Sequence, residues 1–191
     1  TFVYNARNQM TQHTDLRGTV TVYTYDTSAM PASKKVGSKD AIEYSYQNGL
    51  LKSQTDAMGY TTQYGHNAIG QVISKTDANG KVTSYEYDAC GNLLKTTDAE
   101  GKTVENVYDG NHQKTSVKDA NGNITTYAYN GNMKNSLITL PDGKTISYEF
   151  DGEDRPVKVT DQANNVTTTQ YDKAGRVISK HLADGGIVKY E

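Results

Sequence analysis

The sequence contains few of the residues that usually build a hydrophobic core or cross-link a fold. Its 191 residues include no Trp, one Cys and three Pro, and the mean hydropathy is −0.76. Large aliphatic residues are scarce, so a sizeable aliphatic core is not expected. Because Cys90 is alone, an internal disulfide is excluded. No apolar run approaches the length of a membrane-spanning helix.

A strong charge of either sign is also missing. There are 20 Lys and Arg residues against 22 Asp and Glu, for a net charge of −2. This balance argues against a general nucleic-acid-binding surface and against the self-repulsion that favours disorder. What is present in quantity is 15 Tyr and 17 Gly. Together with frequent Thr and Val, they predict β-structure with many tight turns.

The aromatic residues recur with a fixed period. Most spacings are 21 residues, and a single spacing of 20 indicates a deletion near Asn48-Gly49. One aromatic position, mostly followed by Asp or Asn, is occupied by Tyr4, Tyr25, Tyr46, His66, Tyr87, Tyr108, Tyr129, Phe150 and Tyr171. A second aromatic precedes it by two residues, at Phe2, Tyr23, Tyr44, Tyr64, Tyr85, Tyr127, Tyr148 and Tyr190. This phasing predicts a tandem repeat.

Each period contains two turn sequences and two short strands. The first turn follows the aromatic, as in residues 88–91 (Asp-Ala-Cys-Gly), and the second has the form of residues 77–80 (Asp-Ala-Asn-Gly). Residues 140–143 (Leu-Pro-Asp-Gly) are a variant of the second turn. A leading Asp caps such a turn, and Gly tolerates positive φ. These sequences predict hairpins of the type I turn plus Gly-bulge kind.

Strand side chains alternate between the two faces of a sheet. Tyr85 and Tyr87 therefore share one face, while Ser84 and Glu86 point the other way. No repeat can bury its face alone, so stability must come from neighbouring repeats. Residues 27–39, with Pro31 and several Ser and Lys, predict a diverged repeat whose hairpin has become a loop. About nine repeats predict roughly 17 strands in an all-β, curved antiparallel sheet, because long twisted sheets curl.

No group of residues predicts a catalytic, cofactor-binding or metal site. Asp-rich turns could bind Ca²⁺, but one turn offers too few oxygens, and turn formation explains the same residues. Tyrosine rows could bind glycans, but packing onto the sheet is favoured. The histidines lie too far apart to suggest a zinc site; they are His13, His66, His112 and His181. Cys90 lies in a turn, and a small basic cluster is formed by Lys34, Lys35 and Lys39. No functional role is predicted for any of these residues. The sequence predicts a protein that is not an enzyme.

The repeat resembles the YD repeat of the RHS-repeat family. Its pattern is Tyr-Asp-x-x-Gly, an apolar pair, Thr-Asp-x-x-Gly and then Thr-x-Tyr-x-Tyr-Asp, and residues 83–98 show it most clearly. The Gly-Arg step of that repeat occurs at residues 175–176. The resemblance covers essentially the whole sequence. Single copies depart from it at His66, His112, Met133 and Asn164.

The resemblance implies a sheet strip that spirals into a hollow shell, as in bacterial RHS and wall-associated polymorphic toxins, toxin-complex subunits and teneurins. It implies a secreted or cell-surface protein whose shell encloses or presents a C-terminal toxin or effector domain. Residues 1–191 are then a single array of about nine repeats and a fragment of a longer protein. The catalytic aspartates of self-cleaving members have no counterpart here. The alternative function is a carbohydrate- or receptor-binding module for adhesion; neither nucleic-acid binding nor direct membrane insertion is expected.

Overall fold

The computed structural model describes residues 1–190, which contain 19 β-strands and no helix. The strands are β1 (Phe2–Tyr4), β2 (Met10–Thr14), β3 (Val20–Tyr25), β4 (Pro31–Val36), β5 (Ile42–Gln47), β6 (Leu50–Thr55), β7 (Thr61–His66), β8 (Val72–Thr76), β9 (Val82–Tyr87), β10 (Leu93–Thr97), β11 (Thr103–Tyr108), β12 (Lys114–Lys118), β13 (Ile124–Tyr129), β14 (Asn135–Thr139), β15 (Thr145–Phe150), β16 (Pro156–Thr160), β17 (Val166–Tyr171), β18 (Val177–His181) and β19 (Ile187–Lys189). The short terminal strands β1 and β19 raise the number above the expected 17 or so. None of the described residues forms a helix that could span a membrane.

The strands fall into two compact units. The first comprises Thr1–Glu86 and Thr96–Lys102, and the second comprises Tyr87–Lys95 and the residues from Thr103 onward. In the first unit, each strand from β1 to β8 pairs antiparallel with the next strand in sequence. The same consecutive pairing runs from β11 to β19 in the second unit. The predicted all-β fold of tandem antiparallel hairpins is confirmed.

Two kinds of strand pairing alternate within each repeat. Across the first turn, β13 and β14 pair from Thr126↔Thr139 to Tyr129↔Asn135, with a bulge just before Tyr129. Across the second turn, β12 and β13 share only three residue pairs, from Lys118↔Ile124 next to the turn to Ser116↔Thr126. The second ladder therefore ends before it reaches Tyr129, and the tyrosine stands beside a part of β12 that lies beyond the ladder.

The turns have the predicted geometry of a type I turn followed by a left-handed residue. In residues 119–122, the N–H of Gly122 donates to the carbonyl of Asp119 at 3.0 Å, and the N–H of Asp119 donates to the carbonyl of Asn123 at 2.9 Å. Gly122 has φ 86°, a region that glycine enters without the steric cost of a Cβ. In the repeats that depart from glycine, Met133 and Asn164 adopt the same conformation, with φ 61° and 63°.

The one-residue deletion produces a different turn. Gln47 pairs with Leu50, so Asn48 and Gly49 alone connect β5 to β6. Their φ angles are 53° and 77°. Two consecutive positive φ values in a two-residue hairpin loop define a type I′ turn, for which Asn-Gly is the preferred sequence. The deletion thus shortens the loop and leaves the hairpin intact.

The expectation of a loop over residues 27–39 is wrong. Pro31–Val36 forms β4, which pairs with β3 and β5. Pro31 lies at the first position of the strand, where a missing N–H is tolerated. Lys34 pairs with Tyr23, and its ammonium lies 6.0 Å from the centre of that ring. The neighbouring strands impose the hairpin on a sequence whose composition is typical of loops.

The sheet has no hydrophobic core of the usual kind. Among residues 1–190 no apolar residue is buried, and the buried residues are polar: Asn106, 8% exposed, and Ser179, 7% exposed. Along β9, Tyr85 and Tyr87 are half-buried while Glu86 between them is exposed. This alternation confirms the predicted assignment of the two faces. The tyrosine face is covered only by its own side chains.

Candidate functional site

In several repeats a tyrosine hydroxyl bridges the gap beyond the short ladder. Tyr129 in β13 donates to the backbone carbonyl of Lys114 in β12, at 2.8 Å. The donor always lies fifteen residues after the acceptor, and the same bond joins Tyr25 to Met10 at 2.8 Å, Tyr108 to Leu93 at 3.2 Å and Tyr171 to Pro156 at 3.0 Å. We call this hydrogen bond the tyrosine latch. It closes the strand pair where the backbone ladder has stopped.

The latch places phenol rings against the sheet and removes them partly from water. Desolvation raises the pKa of Tyr108 above its ordinary value, and the nearby Asp88 carboxylate acts in the same direction. Desolvation likewise raises the pKa of Tyr46. The raised pKa keeps the Tyr108 hydroxyl, which donates to the carbonyl of Leu93, protonated in the alkaline range. The aromatic face is held by packing and hydrogen bonding together.

Phe150 occupies the latch position of its repeat but has no hydroxyl. The residue fifteen positions earlier is Asn135, whose side-chain Oδ1 is buried and has no hydrogen-bond partner. Phe150 and Asn135 line a shallow apolar depression together with Ile138, Tyr148 and Val159. A buried acceptor without a donor is destabilising. The repeat around Phe150 therefore has an incomplete latch.

In the repeat of Tyr108, Asn106 takes the place of the second aromatic, two residues before the latch tyrosine. It is one of the two buried residues among those that the structure describes, and its Nδ2 donates to the carbonyl of Leu93 at 2.9 Å. The latch of Tyr108 ends on the same carbonyl. One carbonyl has two lone pairs and can accept both bonds. The Asn106 amide thus replaces an aromatic ring at this position, and it contributes a hydrogen bond to a backbone carbonyl instead of packing over the backbone.

The turns carry a second recurring device, which we call the aspartate turn. The Oδ1 atom of the leading Asp accepts hydrogen bonds from the N–H groups two and four residues later, as Asp77 does from Asn79 and Lys81, both at 2.9 Å. Asn130 forms the same pair of bonds at 3.0 and 2.9 Å. Asp142, in the variant turn, accepts one such bond, from Lys144 at 3.0 Å.

Hydrogen bonds to the charged form lower the pKa of many turn aspartates below the ordinary value. For Asp88, Asp119 and Asp161 the largest cause is the side-chain amide of the Asn four residues later. In four other turn aspartates the largest cause of the lowered pKa is a hydrogen bond from a backbone N–H. These are Asp15, Asp142, Asp151 and Asp172. The carboxylates are thus engaged by their own turns.

The histidines named from the sequence do not form a group. They lie at His13 in β2, His66 at the end of β7, His112 in a first turn and His181 at the end of β18. His13 stacks on Phe2 with ring centres 4.8 Å apart, and Nδ1 of His112 lies 3.0 Å from Nδ2 of Asn92. Within residues 1–190, no three His, Cys, Asp or Glu side chains are arranged to hold a metal ion.

Cys90, Lys35 and Lys39 occupy exposed positions of the repeat, whereas Lys34 is half-buried beside Tyr23. The backbone N–H of Cys90 donates to Oδ1 of Asp88 at 2.9 Å, as at the same position of other aspartate turns, and its thiol is free. Lys35 lies on the exposed face of β4, and Lys39 lies in the turn that follows. Each residue has a place in the repeat that requires no further role.

The residues that sequence reasoning missed are Asn106, Asn135 and the carbonyl partners of the latch. The repeat pattern identifies Phe150 only as one more aromatic in phase. The sequence does contain one signal for the incomplete latch: Phe150 stands at a position that is mostly Tyr. The replacement indicates that the tyrosine hydroxyl has a role in the other repeats. Nothing in the local sequence marks Asn135, since Phe150, which stands where a hydroxyl donor would be, lies in another strand.

The fold and its latches define a class: an array of antiparallel β-hairpin repeats. The family model described as "RHS Repeat" matches residues 66–103, 108–145 and 150–187, which is more than half of the sequence. The chain belongs to the RHS repeat family. No curated protein sequence matches it.

Solved structures with the same fold are large toxin-complex assemblies. The TcdB2-TccC3-Cdc42 structure is 15% identical with a TM-score of 0.66, and the match covers 94% of this chain and 13% of that chain. TcdB2-TccC3 without its hypervariable C-terminal region gives the same values. The Tc holotoxin pore of Photorhabdus luminescens is 12% identical with a TM-score of 0.63, over 99% of this chain and 14% of that chain. The protein described here therefore spans about an eighth of the length of these structures and shares their fold.

Proposed function

We propose that this chain is a non-catalytic segment of a β-shell that encloses a C-terminal effector domain in a larger secreted or cell-surface protein. The observation that carries the proposal is the missing core: no apolar residue within residues 1–190 is buried. A sheet of this kind does not fold around its own centre. It is suited to serve as a wall.

The connections between neighbouring strands support the role of a wall. The latch of Tyr129 joins β13 to β12, and the backbone ladder joins β13 to β14. Every repeat within a unit is stabilised by the next, so an array can be lengthened without enlarging a core. We take residues 1–191 as a single array of about nine repeats in such a longer protein.

The two faces differ in a way that suits a wall between two environments. The face opposite the tyrosines carries direct polar pairs across strands, such as Ser45–Ser53 at 2.7 Å and Lys158–Glu149 at 2.7 Å. Exposed pairs of this kind contribute little stability but keep a face soluble. The aromatic face is the less polar of the two, and we assign it to the inside of the shell.

The enclosed partner is inferred from the family and from the fold. The similar structures are toxin complexes, and one of them is described as lacking a hypervariable C-terminal region. A wall built of the same repeats suits the same task in this protein. The role of the array is then to bind adjacent repeats and to surround the effector.

The adhesion alternative has less support from the aromatic face. Glycan binding would use rings and hydroxyls that are open to solvent. The hydroxyls of Tyr25, Tyr129 and Tyr171 are instead occupied by backbone carbonyls at 2.8 to 3.0 Å. The hydrogen bonds therefore hold these rings against the sheet.

Limited proteolysis of the longer protein that includes this array tests the proposal. We expect the segment after the array to resist protease in the intact protein and to be cleaved rapidly when expressed alone. A double substitution that weakens the wall, Tyr129→Ala with Tyr171→Ala, should make it accessible, whereas Tyr127→Phe should not. Cleavage of the segment at equal rates in both settings would refute enclosure. Glycan binding by the intact array without any such protection would favour the adhesion alternative.

A further inference from the structure

The dipeptide Asn-Gly occurs four times in the sequence, at Asn48, Asn79, Asn121 and Asn130. This dipeptide is chemically reactive, because glycine has no side chain to hinder attack by its backbone nitrogen on the neighbouring Asn side chain. The attack requires two freedoms. The glycine N–H must be able to lose its proton, and the Asn carboxamide must be able to turn toward it.

Asn79 and Asn121 lack the first freedom. Each is the third residue of an aspartate turn, and the next glycine closes the turn. Gly80 donates its N–H to the carbonyl of Asp77 at 3.0 Å, and Gly122 makes the equivalent bond to Asp119 at 3.0 Å. A proton held in a hydrogen bond is harder to remove, so the attacking nitrogen is masked.

Asn130 lacks the second freedom. It leads its own turn, and its Oδ1 accepts hydrogen bonds from the backbone N–H groups of Asn132 and Lys134, at 3.0 and 2.9 Å. These bonds fix the carboxamide over the turn that follows. Its Cγ atom is unable to rotate toward Gly131 without breaking both of them.

Asn48 has both freedoms. It lies in the type I′ turn, where Asn48 and Gly49 are both exposed. Over the described residues 1–190, neither the N–H of Gly49 nor the side chain of Asn48 makes a hydrogen bond. Gln47 stands where an Asp or Asn follows the aromatic residue in the other first turns, so no such side chain restrains this pair.

We propose that Asn48 is a selective site of spontaneous deamidation, a modification that goes beyond the shell function. A solvent base removes the proton of the Gly49 N–H, and the nitrogen bonds to Cγ of Asn48. The protonated base returns the proton to Nδ2, the bond between Cγ and Nδ2 breaks and ammonia leaves, giving a five-membered succinimide. One water then opens the ring to aspartate or to isoaspartate. Isoaspartate routes the backbone through Cβ and Cγ and lengthens a turn that the Gln47↔Leu50 pair holds at two residues.

Mass spectrometry of the folded protein, aged in mildly alkaline buffer at body temperature, tests the proposal. Trypsin separates residues 40–52 from residues 76–81, so Asn48 and Asn79 are read in different peptides, and fragment ions resolve Asn121 and Asn130 within residues 119–134. We expect Asn48 to gain the mass of an amide-to-acid exchange roughly tenfold faster than Asn79, a ratio that corresponds to about 1.4 kcal/mol in the barrier. Labelling by an isoaspartate methyltransferase should appear in the same peptide and should be absent from Asn48→Gln.

The protein aged in denaturant is the matched control, because unfolding frees all four sites. There the four rates should converge. If Asn79 or Asn121 deamidates as fast as Asn48 in the folded protein, or if the folded and unfolded patterns are alike, the proposal is overturned.

Discussion

Phe150 stands fifteen residues after Asn135, and that is the spacing at which Tyr129 donates its hydroxyl to the carbonyl of Lys114. In the Phe150 repeat no hydroxyl is present, and Oδ1 of Asn135 is buried without a partner. The two repeats thus present the same architecture with and without a latch. The comparison separates the contribution of the hydroxyl from that of the ring.

Removal of a latch should destabilise the array through one hydrogen bond. Tyr129→Phe keeps the ring and leaves the carbonyl of Lys114 without its donor, so we expect a loss of about 1 kcal/mol in the free energy of unfolding. Urea denaturation measures it. Tyr127→Phe, in the same strand, removes a hydroxyl that takes no part in a latch and should have little effect. Equal losses for the two variants would show that the latch contributes nothing specific.

Completion of the missing latch should stabilise the array. Phe150→Tyr brings a hydroxyl to Asn135, which offers an unpaired side-chain oxygen next to its backbone carbonyl, and we expect a gain of about 1 kcal/mol. The midpoint of urea denaturation should rise. Phe150→Leu should lower it, because the ring is lost without any compensating bond. A Phe150→Tyr midpoint at or below the unsubstituted value would contradict the assignment of Asn135 as the missing partner.

A glycine should relieve the strain at Met133. Met133 has φ 61°, where the Cβ atom raises the backbone energy, and Met133→Gly should stabilise by about 0.5–1 kcal/mol. Thermal denaturation measures the change. Met58 is also exposed and lies in a turn, but not among the residues of positive φ, so Met58→Gly should not stabilise. A destabilised Met133→Gly would mean that the methionine makes a packing contribution larger than the strain.

Acid should weaken the aspartate turns. The hydrogen bond from the Asn123 side chain is the largest cause that lowers the pKa of Asp119 below its ordinary value of 3.8. A carboxyl group with a lowered pKa in the folded state contributes stability that is complete above the unfolded pKa and is lost as pH falls through the folded pKa. Stability should therefore decrease as pH falls below 3.8.

Asp119→Asn isolates the charge in this titration. It retains the Oδ1 acceptor, as Asn130 shows in its own turn, but does not titrate. We expect a smaller loss of stability in acid than in the unsubstituted protein, measured by denaturation across the acid range. Asp40→Asn, which is exposed and leads no aspartate turn, is the control. A full acid response in Asp119→Asn would remove Asp119 from the set of contributing groups.

Divalent cations should leave the array unchanged. A calcium ion needs about 6–8 oxygen ligands, and Oδ1 of an aspartate turn such as that of Asp77 already accepts two N–H groups. We expect the same melting temperature with chelator and with added calcium. A rise of many degrees with calcium would reveal a site that binds the ion in the folded state.

Most of the local architecture could be predicted from the residues. The period, the two turns and the face of Tyr85 and Tyr87 follow from rules that act within a few residues: turn preferences and the alternation of strand side chains. In residues 27–39 the composition indicated a loop and the 21-residue phase indicated a hairpin, and the phase gave the correct prediction. Pro31–Val36 is a strand because β3 and β5 flank it, although its Pro, Ser and Lys are typical of a loop.

The sequence by itself determined a tandem hairpin array of the RHS type, because its signals are local and are repeated in phase. Only the tertiary structure decided which contacts hold the array together. The latch from Tyr129 to Lys114, the unpaired Oδ1 of Asn135 and the burial of Asn106 depend on the register between strands, and register is set jointly by the ladders and bulges on both sides of each strand. The same dependence separates Asn48 from Asn79: two identical dipeptides differ in reactivity because a backbone carbonyl accepts one glycine N–H and not the other.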